Sequence, residues 1–400
     1  MTAAITRFKL DISAGAIADL HERIDRTRWP DELDAEPWQY GASLAALQRM
    51  MQYWRHRFDW RAAEASINAL PHYRASIAGH ELHFIHERGH GPQPLPLLIA
   101  HGWPGSFVEM LDIIPLLADP ARHGGDPADS FDVIVPSMPG YGFSGRPRKP
   151  GMTPLVMAEL YAGLMAALGY DHYGLQGGDW GATVTTCMAR QWPDRIAGLH
   201  LNWIPGSYQP PQGEGEAPFS AAELQFQAAM AASATQGTST HVGIHASRPQ
   251  TLGYALNDSP VGLAAWLIDK FRMIADCDGE IESTISLDRL LTNVSVYWFT
   301  ETITSAIRLY KEARLQPLKF AKGERILPPL GFAAFPGEVA VPPREWVERV
   351  YNLQRWTEMK RGGHFAAMEQ PQALAADIRD FFRPLRQGKA SGQTGEPKHD

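Results

Sequence analysis

The chain has 400 residues, 44% apolar and 20% charged, with 36 Gly, 31 Pro and a net charge of −7. That apolar share supports a packed core and excludes disorder or a collagen-like chain, and the acidic balance leaves no basic footprint for nucleic acid. Cys187 and Cys277 are the only thiols, which excludes a disulfide scaffold.

Residues 1–72 read as a helical N-terminal domain. A first helix opens at Ser13 and carries Ile17, Leu20 and Ile24 at helical spacing until Trp29-Pro30 stops it. A second runs from Ser43 to Arg57 with Leu44, Leu47, Met51 and Trp54 on one side. From residue 73 to 205 the pattern changes to short apolar runs. Glu81–Ile85 reads as half a hairpin, and Leu95–Ala100, Phe131–Val135, Leu175-Gln176 and Ile196–Leu201 read as strands buried on both faces. Helical stretches at Phe107–Leu117, Met152–Leu168 and Ala182–Gln191 separate them, which is the βαβα order of a mostly parallel sheet.

A Pro/Gly/Gln-rich linker, Gly206 to Gly215, then opens a helical insertion over residues 206–325. Its helices are expected at Ala221–Ala232, Val261–Ile274 and Asn293–Tyr310. Residues 326–386 resume the α/β core with an apolar run at Leu330–Phe335 and a last helix at Gln372–Phe382, and the polar tail 387–400 reads as disordered. The fold class is α/β, with a helical insertion and an N-terminal helical domain. No stretch approaches the roughly 18 apolar residues of a membrane span. Arg7, Lys9, Asp11 and Asp19 also break up any signal-peptide core, so a cytoplasmic location is expected.

The chemistry-bearing signal is Gly177-Gly178-Asp179-Trp180-Gly181, between a strand and a helix. It has the form of a nucleophile elbow, with Asp where an esterase has Ser. The helix N-terminus that follows offers N–H groups and a favourable dipole to a carboxylate. The same pentapeptide also suits a plain capping Asp, and three further features favour the elbow. His101-Gly102-Trp103-Pro104-Gly105-Ser106 follows the strand Leu95–Ala100, where such a fold places half of an oxyanion hole. His364 sits in Arg361-Gly362-Gly363-His364-Phe365 ahead of the last helix. Between Arg325 and His364 the only carboxylates are Glu338, Glu345, Glu348 and Glu358. Glu345 and Glu348 look helical and Glu358 lies too near His364 in sequence, which leaves Glu338 as the acid. The chain order Asp179, Glu338, His364 is that of a hydrolase triad.

These residues carry a resemblance to the microsomal-type epoxide hydrolases of the α/β-hydrolase superfamily, over nearly the whole chain. HGWPGS, GGDWG, LNDSPVGLAAW, FPGE and RGGHFAAME follow one another as in that family. The helical preface resembles the family's N-terminal domain and the insertion its lid. The membrane anchor of the mammalian members has no counterpart here, so the chain resembles their soluble relatives.

An Asp nucleophile is informative in itself, since it is ionised near neutral pH and attacks without a base. Attack at an sp3 carbon gives an ester of Asp179, which water activated by His364 hydrolyses while Glu338 holds the imidazole tautomer. The resemblance adds backbone N–H groups of Trp103 and Trp180 as an oxyanion hole. It also adds two lid tyrosines as proton donors to the opening epoxide. Tyr310 matches the second. At the first, this sequence departs from the family with Thr240-His241-Val242-Gly243-Ile244, where His241 takes the matching place. His245 and Tyr254 are the alternatives.

Other signals carry less. His80, His83, His86 and His90 resemble a metal cluster, but residues three apart on a strand face opposite ways, and a solvated hairpin is expected. Arg146, Arg148 and Lys149 read as a solvated loop, and Trp298 suits either a pocket or the lid core. The expectation is therefore an epoxide hydrolase needing no cofactor or metal. Its partners are an apolar epoxide and water, without nucleic acid or membrane anchor, and a homodimer stays open. A haloalkane dehalogenase is the second reading, although Tyr310 and the long preface favour the epoxide. A binding protein that has lost turnover is the third.

Overall fold

The structure, a computed structural model, describes residues 4–205, 208–212, 215–235 and 240–387. The expected disordered tail and parts of the 206–215 linker lie outside the described residues.

The chain starts with β1 (Ile5–Phe8), α1 (Ala14–Asp25), α2 (Leu44–His56) and α3 (Trp60–Asn68). The hairpin β2 (His72–Ile77) and β3 (His80–Glu87) follows, then β4 (Leu95–Ala100), α4 (Ile113–Ala118), β5 (Phe131–Pro136) and α5 (Pro154–Ala167). Next come β6 (Tyr173–Gly177), α6 (Asp179–Gln191) and β7 (Ile196–Leu201). Among the described residues six α-helices intervene: α7 (Ala221–Thr235), α8 (Thr240–Ser247), α9 (Pro249–Asp258), α10 (Pro260–Ile274), α11 (Leu287–Thr300) and α12 (Ile303–Leu315). The chain closes with β8 (Ile326–Ala334), α13 (Arg344–Glu348), β9 (Tyr351–Glu358), α14 (Ala366–Glu369) and α15 (Pro371–Gln387).

The nine strands among the described residues form one sheet, ordered β1-β2-β3-β5-β4-β6-β7-β8-β9. The first four in that order pair antiparallel, and β5 to β9 run parallel. The expected α/β class is what the chain forms. β4, β5, β6 and β7 are buried almost throughout because α4 and α15 cover one face and α5 and α6 the other. The β2–β3 turn is Ala78-Gly79, both with positive φ, as a two-residue hairpin turn of matching twist requires.

Several expectations need correction. The N-terminal segment is not purely helical, since β1 adds an edge strand to the sheet through β2 and α3 adds a third helix. The helix expected over Phe107–Leu117 is a 3-10 turn, Phe107–Met110, followed by α4. The helix expected over Asn293–Tyr310 is two helices broken at Glu301, whose φ of 53° is left-handed. β9 was not foreseen. The histidine hairpin is not solvated, because His83 and His86 are both buried. His83 bonds His72 at 2.9 Å and Ser137 at 2.8 Å, among the rings of Phe8, Phe107 and Phe143. Among the described residues no group of His, Cys, Asp or Glu is arranged to hold a metal. Arg146, Arg148 and Lys149 are exposed as expected. Trp298 lies under Arg23 of α1 rather than in the cavity described below. No described helix is long and apolar enough to cross a membrane.

Candidate active site

β4 and β6 are neighbours in register, Ala100 beside Gly177, so the loops leaving their C-terminal ends lie side by side. Crevices at such strand ends are where open α/β sheets place ligands. Asp179 is the first residue of α6 and has φ 47°, a left-handed conformation that costs a non-glycine residue of order 1–3 kcal/mol. Only glycine fits two residues on, because a Cβ on Gly181 would lie 1.9 Å from the Ala100 carbonyl oxygen. The turn thereby holds the Asp179 carboxylate beyond the strand end and beside the β4 loop.

There Trp103 N–H donates to Asp179 Oδ1 at 2.8 Å. Burial by itself would raise the Asp179 pKa; the His364 ring and the N–H groups of Trp103 and Trp180 outweigh it and hold the carboxyl below its ordinary value. His364 Nε2 lies 3.4 Å from Asp179 Oδ2. On the other side of the ring, Nδ1 donates to Glu338, 2.9 Å from Oε2. Burial disfavours the imidazolium, yet the Glu338 and Asp179 carboxylates prevail and raise the His364 pKa well above its usual value. Glu338 follows β8 and His364 follows β9, and a parallel bridge between Gly337 and Gly363 ties the two loops. Glu358, the acid set aside, is exposed at the end of β9.

Above Asp179 opens a cavity of about 1160 Å³, lined among others by Trp103, Trp180, His241, Tyr310 and His364. Phe226, Met230 and Trp346 make part of its wall, so most of a bound molecule would meet apolar surface. The Tyr310 ring stands edge-on to Trp180 at 4.9 Å, and burial and the nearby Asp179 charge raise its pKa well above the normal phenol value. His241 stacks on Trp103 at 5.0 Å and lies 5.7 Å from the Tyr310 ring. The alternatives fare differently. His245 is fully buried, and its Nε2 accepts from the Trp266 indole at 3.1 Å, while Tyr254 is 71% exposed. Asp179, His364, Tyr310 and His241 thus line one space, with Glu338 behind the His364 ring, and of the three lid candidates His241 rather than His245 or Tyr254 lines it.

Two carboxyls escaped the sequence reading. Glu369 is buried, and its oxygens accept from the backbone N–H groups of Asp276, Gly363 and Phe365 at 2.8–2.9 Å. It thereby holds the chain on both sides of His364 and ties that loop to the end of α10. The spacing of RGGHFAAME was its only signal. Glu109 lies buried near Trp103, in an apolar run that reads as an ordinary helix with Glu109 and Asp112 as its polar positions.

Comparison with known proteins accords with this arrangement. Residues 5–110 match the family "Epoxide hydrolase N terminus", and residues 96–243 match "alpha/beta hydrolase fold". Epoxide hydrolase 1 of Oryctolagus cuniculus is 40% identical, over 94% of this chain and 88% of its own. Juvenile hormone epoxide hydrolase 1 of Ctenocephalides felis is 33% identical over 99% and 89%. The solved structure of Aspergillus niger epoxide hydrolase superposes with a TM-score of 0.83 at 30% identity, covering 96% of this chain and 97% of that one. With such identities across almost its entire length, the chain belongs to the epoxide hydrolase family and has the α/β-hydrolase fold.

Proposed function

We propose that the enzyme converts an apolar epoxide and water to a vicinal diol through an ester of Asp179. Oδ2 attacks an epoxide carbon while Oδ1 stays bound by the Trp103 N–H. The ring C–O bond breaks, and the departing oxygen takes a proton from Tyr310, with His241 as a second donor across the cavity. Water then adds to Cγ of the ester and gives a proton to His364, whose tautomer Glu338 fixes. The N–H groups of Trp103 and Trp180 bind the tetrahedral oxyanion. Collapse breaks the Cγ–Oδ2 bond, and the diol departs with Oδ2 and a proton from His364. The new carboxyl returns a proton to Tyr310, which closes the cycle.

Charge drives the sequence. Alkylation removes the negative charge of Asp179, one of the causes that raise both the Tyr310 and the His364 pKa. Tyr310 therefore becomes a better acid as the ring opens. His364, ionised beside the Asp179 carboxylate, releases its proton to solvent once the ester exists, serves then as a base, and takes a proton up again when the carboxylate is restored.

The observation that carries this reading is the two-sided placement of Asp179, with Oδ1 on a backbone N–H and Oδ2 toward His364 under an apolar cavity containing Tyr310. A halide leaving group would need no phenol, which favours the epoxide over an alkyl halide. We assign residues 206–325 as the lid over this cavity. The buried free thiols Cys187 and Cys277 suit a reducing compartment, in keeping with a cytoplasmic enzyme. The test is a single turnover in 18O-water with enzyme in excess. The label should enter the Asp179 peptide and not the diol; label in the diol would mean direct attack of water on the ring.

A further inference from the structure

The two N–H groups assigned to the oxyanion are supported differently. That of Trp180 belongs to the first turn of α6 and is held by the helix. That of Trp103, 2.8 Å from Asp179 Oδ1, sits in the loop Gly102–Ser106, which has no regular structure of its own. Gly105 adds conformational freedom to this loop, and only glycine fits there, because a Cβ would fall 1.3 Å from Glu109 Oε1. What fixes the loop comes from α11. Asn293 Nδ2 donates to the Pro104 carbonyl at 2.9 Å, and Asn293 Oδ1 accepts from Ser106 Oγ at 2.7 Å. One turn further on, the Tyr297 hydroxyl donates to the Gly105 carbonyl at 2.7 Å. Residues four apart share a helix face, so one face of α11 grips three consecutive residues next to Trp103. Asn293, Tyr297 and Ser106 are at most 1% exposed, so bulk water does not compete for these bonds. α11 is held in turn by α2, where the Trp54 indole donates to Ser295 Oγ at 3.1 Å. Neither Asn293 nor Tyr297 lines the cavity, so neither meets the substrate.

We propose that Asn293 and Tyr297 are positioning residues for ester hydrolysis, acting by holding the loop that aims the Trp103 N–H at Asp179. The inference rests on the ester reading above and adds a role for a helix that contributes no side chain to the cavity. Donors to an oxyanion are effective when they stand about 2.7–3.1 Å from the atom that takes up the charge, and here that atom is Oδ1. During attack on the epoxide the carboxylate charge is consumed, so the Trp103 N–H stabilises the reactant more than the ester. During hydrolysis the carbonyl Oδ1 of the ester becomes an oxyanion, and the same N–H stabilises the transition state. A loop that drifts by a few tenths of an ångström therefore penalises the second step and spares the first. A general loosening of the molecule would slow both. Through Trp54 and Ser295 the N-terminal helices support the same arrangement, which gives them a part in the hydrolytic step without contact to any reacting atom.

The experiment is rapid-quench single turnover with styrene oxide, following formation and decay of the protein ester by intact mass. Tyr297→Phe keeps the ring and removes only the hydroxyl, while Asn293→Leu keeps the approximate volume and removes both amide bonds. Each should slow ester hydrolysis about tenfold or more and leave ester formation within about threefold of wild type. Ester then accumulates at steady state, and kcat and KM fall together. Ser305→Ala is the comparison, since the Ser305 hydroxyl also ties the helical insertion to the core, at the Gly140 carbonyl, but touches no part of the Trp103 loop. It should leave the ratio of the two rates unchanged. Tyr297→Phe decides alone if Asn293→Leu does not fold. Formation and hydrolysis slowed alike in Tyr297→Phe, hydrolysis unchanged in it, or the same split in Ser305→Ala would overturn the positioning role. Absence of any ester even in His364→Gln would instead refute the Asp179 reading beneath it.

Discussion

Glu338 accepts a hydrogen bond from His364 Nδ1 at 2.9 Å, and the loops that carry the two are joined by the Gly337–Gly363 bridge. The distance is short because adjacent parallel strands, β8 and β9, deliver both loops at the same end of the sheet. The carboxylate fixes the proton on Nδ1 and leaves Nε2 to face Asp179.

Replacing Glu338 by Gln keeps the shape but lets the ring adopt the wrong tautomer. Ester hydrolysis should fall by roughly 10²–10⁴, the range expected when a positioned general base is disabled. Ester formation should change little, because Asp179 needs no base. Stopped-flow measurement of the two phases checks this, and an equal loss in both would contradict it.

In the proposed mechanism ring opening, in contrast, depends on the phenol. Tyr310→Phe should slow ester formation by at least about 10² through loss of the acid and leave hydrolysis of a preformed ester near wild type. His241→Phe should slow formation less than Tyr310→Phe. Pre-steady-state kinetics with one epoxide decide between the two donors, and a larger loss in His241→Phe would reverse their roles.

The pH behaviour has a definite sign. In the free enzyme the His364 pKa is raised, so its ionised form stabilises the fold below its unfolded value of about 6.5, and this contribution is lost as pH rises through the folded pKa. In the ester the Asp179 charge is gone and the His364 pKa falls. The rate of ester hydrolysis should therefore titrate at lower pH than His364 itself does in the resting enzyme. NMR titration of the ring set against single-turnover hydrolysis tests it; coincident midpoints would refute the charge-coupled account.

Buried neutral histidines act the other way. Burial lowers His86 and His101 to about 4 and His245 to about 3. His101 Nδ1 lies against the Gly102 carbonyl and Nε2 accepts from the Met138 N–H, so a second proton has nowhere to go. The unfolded chain binds more protons, so this stability is fully present above about pH 6.5 and is lost as pH falls toward 4. A group such as His101 should cost on the order of 1–2 kcal/mol by pH 5. Denaturant unfolding at pH 7 and pH 5 measures the loss, and equal stability at both would contradict it.

Glu369→Ala would strip three backbone N–H groups of their acceptor beside His364. We expect a loss of about 2–4 kcal/mol in stability together with slower ester hydrolysis, read by thermal unfolding and burst kinetics. An unchanged melting temperature would show that solvent replaces the carboxylate.

Much of this was legible in the sequence because the informative positions are constrained twice. Asp179 stands between Gly178, which packs on Asn202, and Gly181, which the close approach to Ala100 requires, and β4 to β7 are apolar runs that only a doubly covered sheet produces. What escaped had weaker marks. Ile5–Phe8 and Tyr351–Glu358 are edge strands, half exposed, whose mixed residues give no apolar run. The break at Glu301 has no Gly or Pro to announce it. His83 reads as polar, yet its two ring nitrogens are satisfied by His72 and Ser137, distant in sequence and adjacent only in the fold. Glu109 and Glu369 look like polar positions in apolar segments, and the backbone partner of Glu369 at Asp276 is likewise brought in by the folded chain.

The most direct test of the covalent account is the intact mass of His364→Gln after mixing with an epoxide. An adduct equal to the whole epoxide mass, persisting over time and lost when Asp179→Ala is added, is the predicted result. A wild type that turns the same epoxide over while His364→Gln acquires no adduct, or an adduct that survives Asp179→Ala, would contradict it.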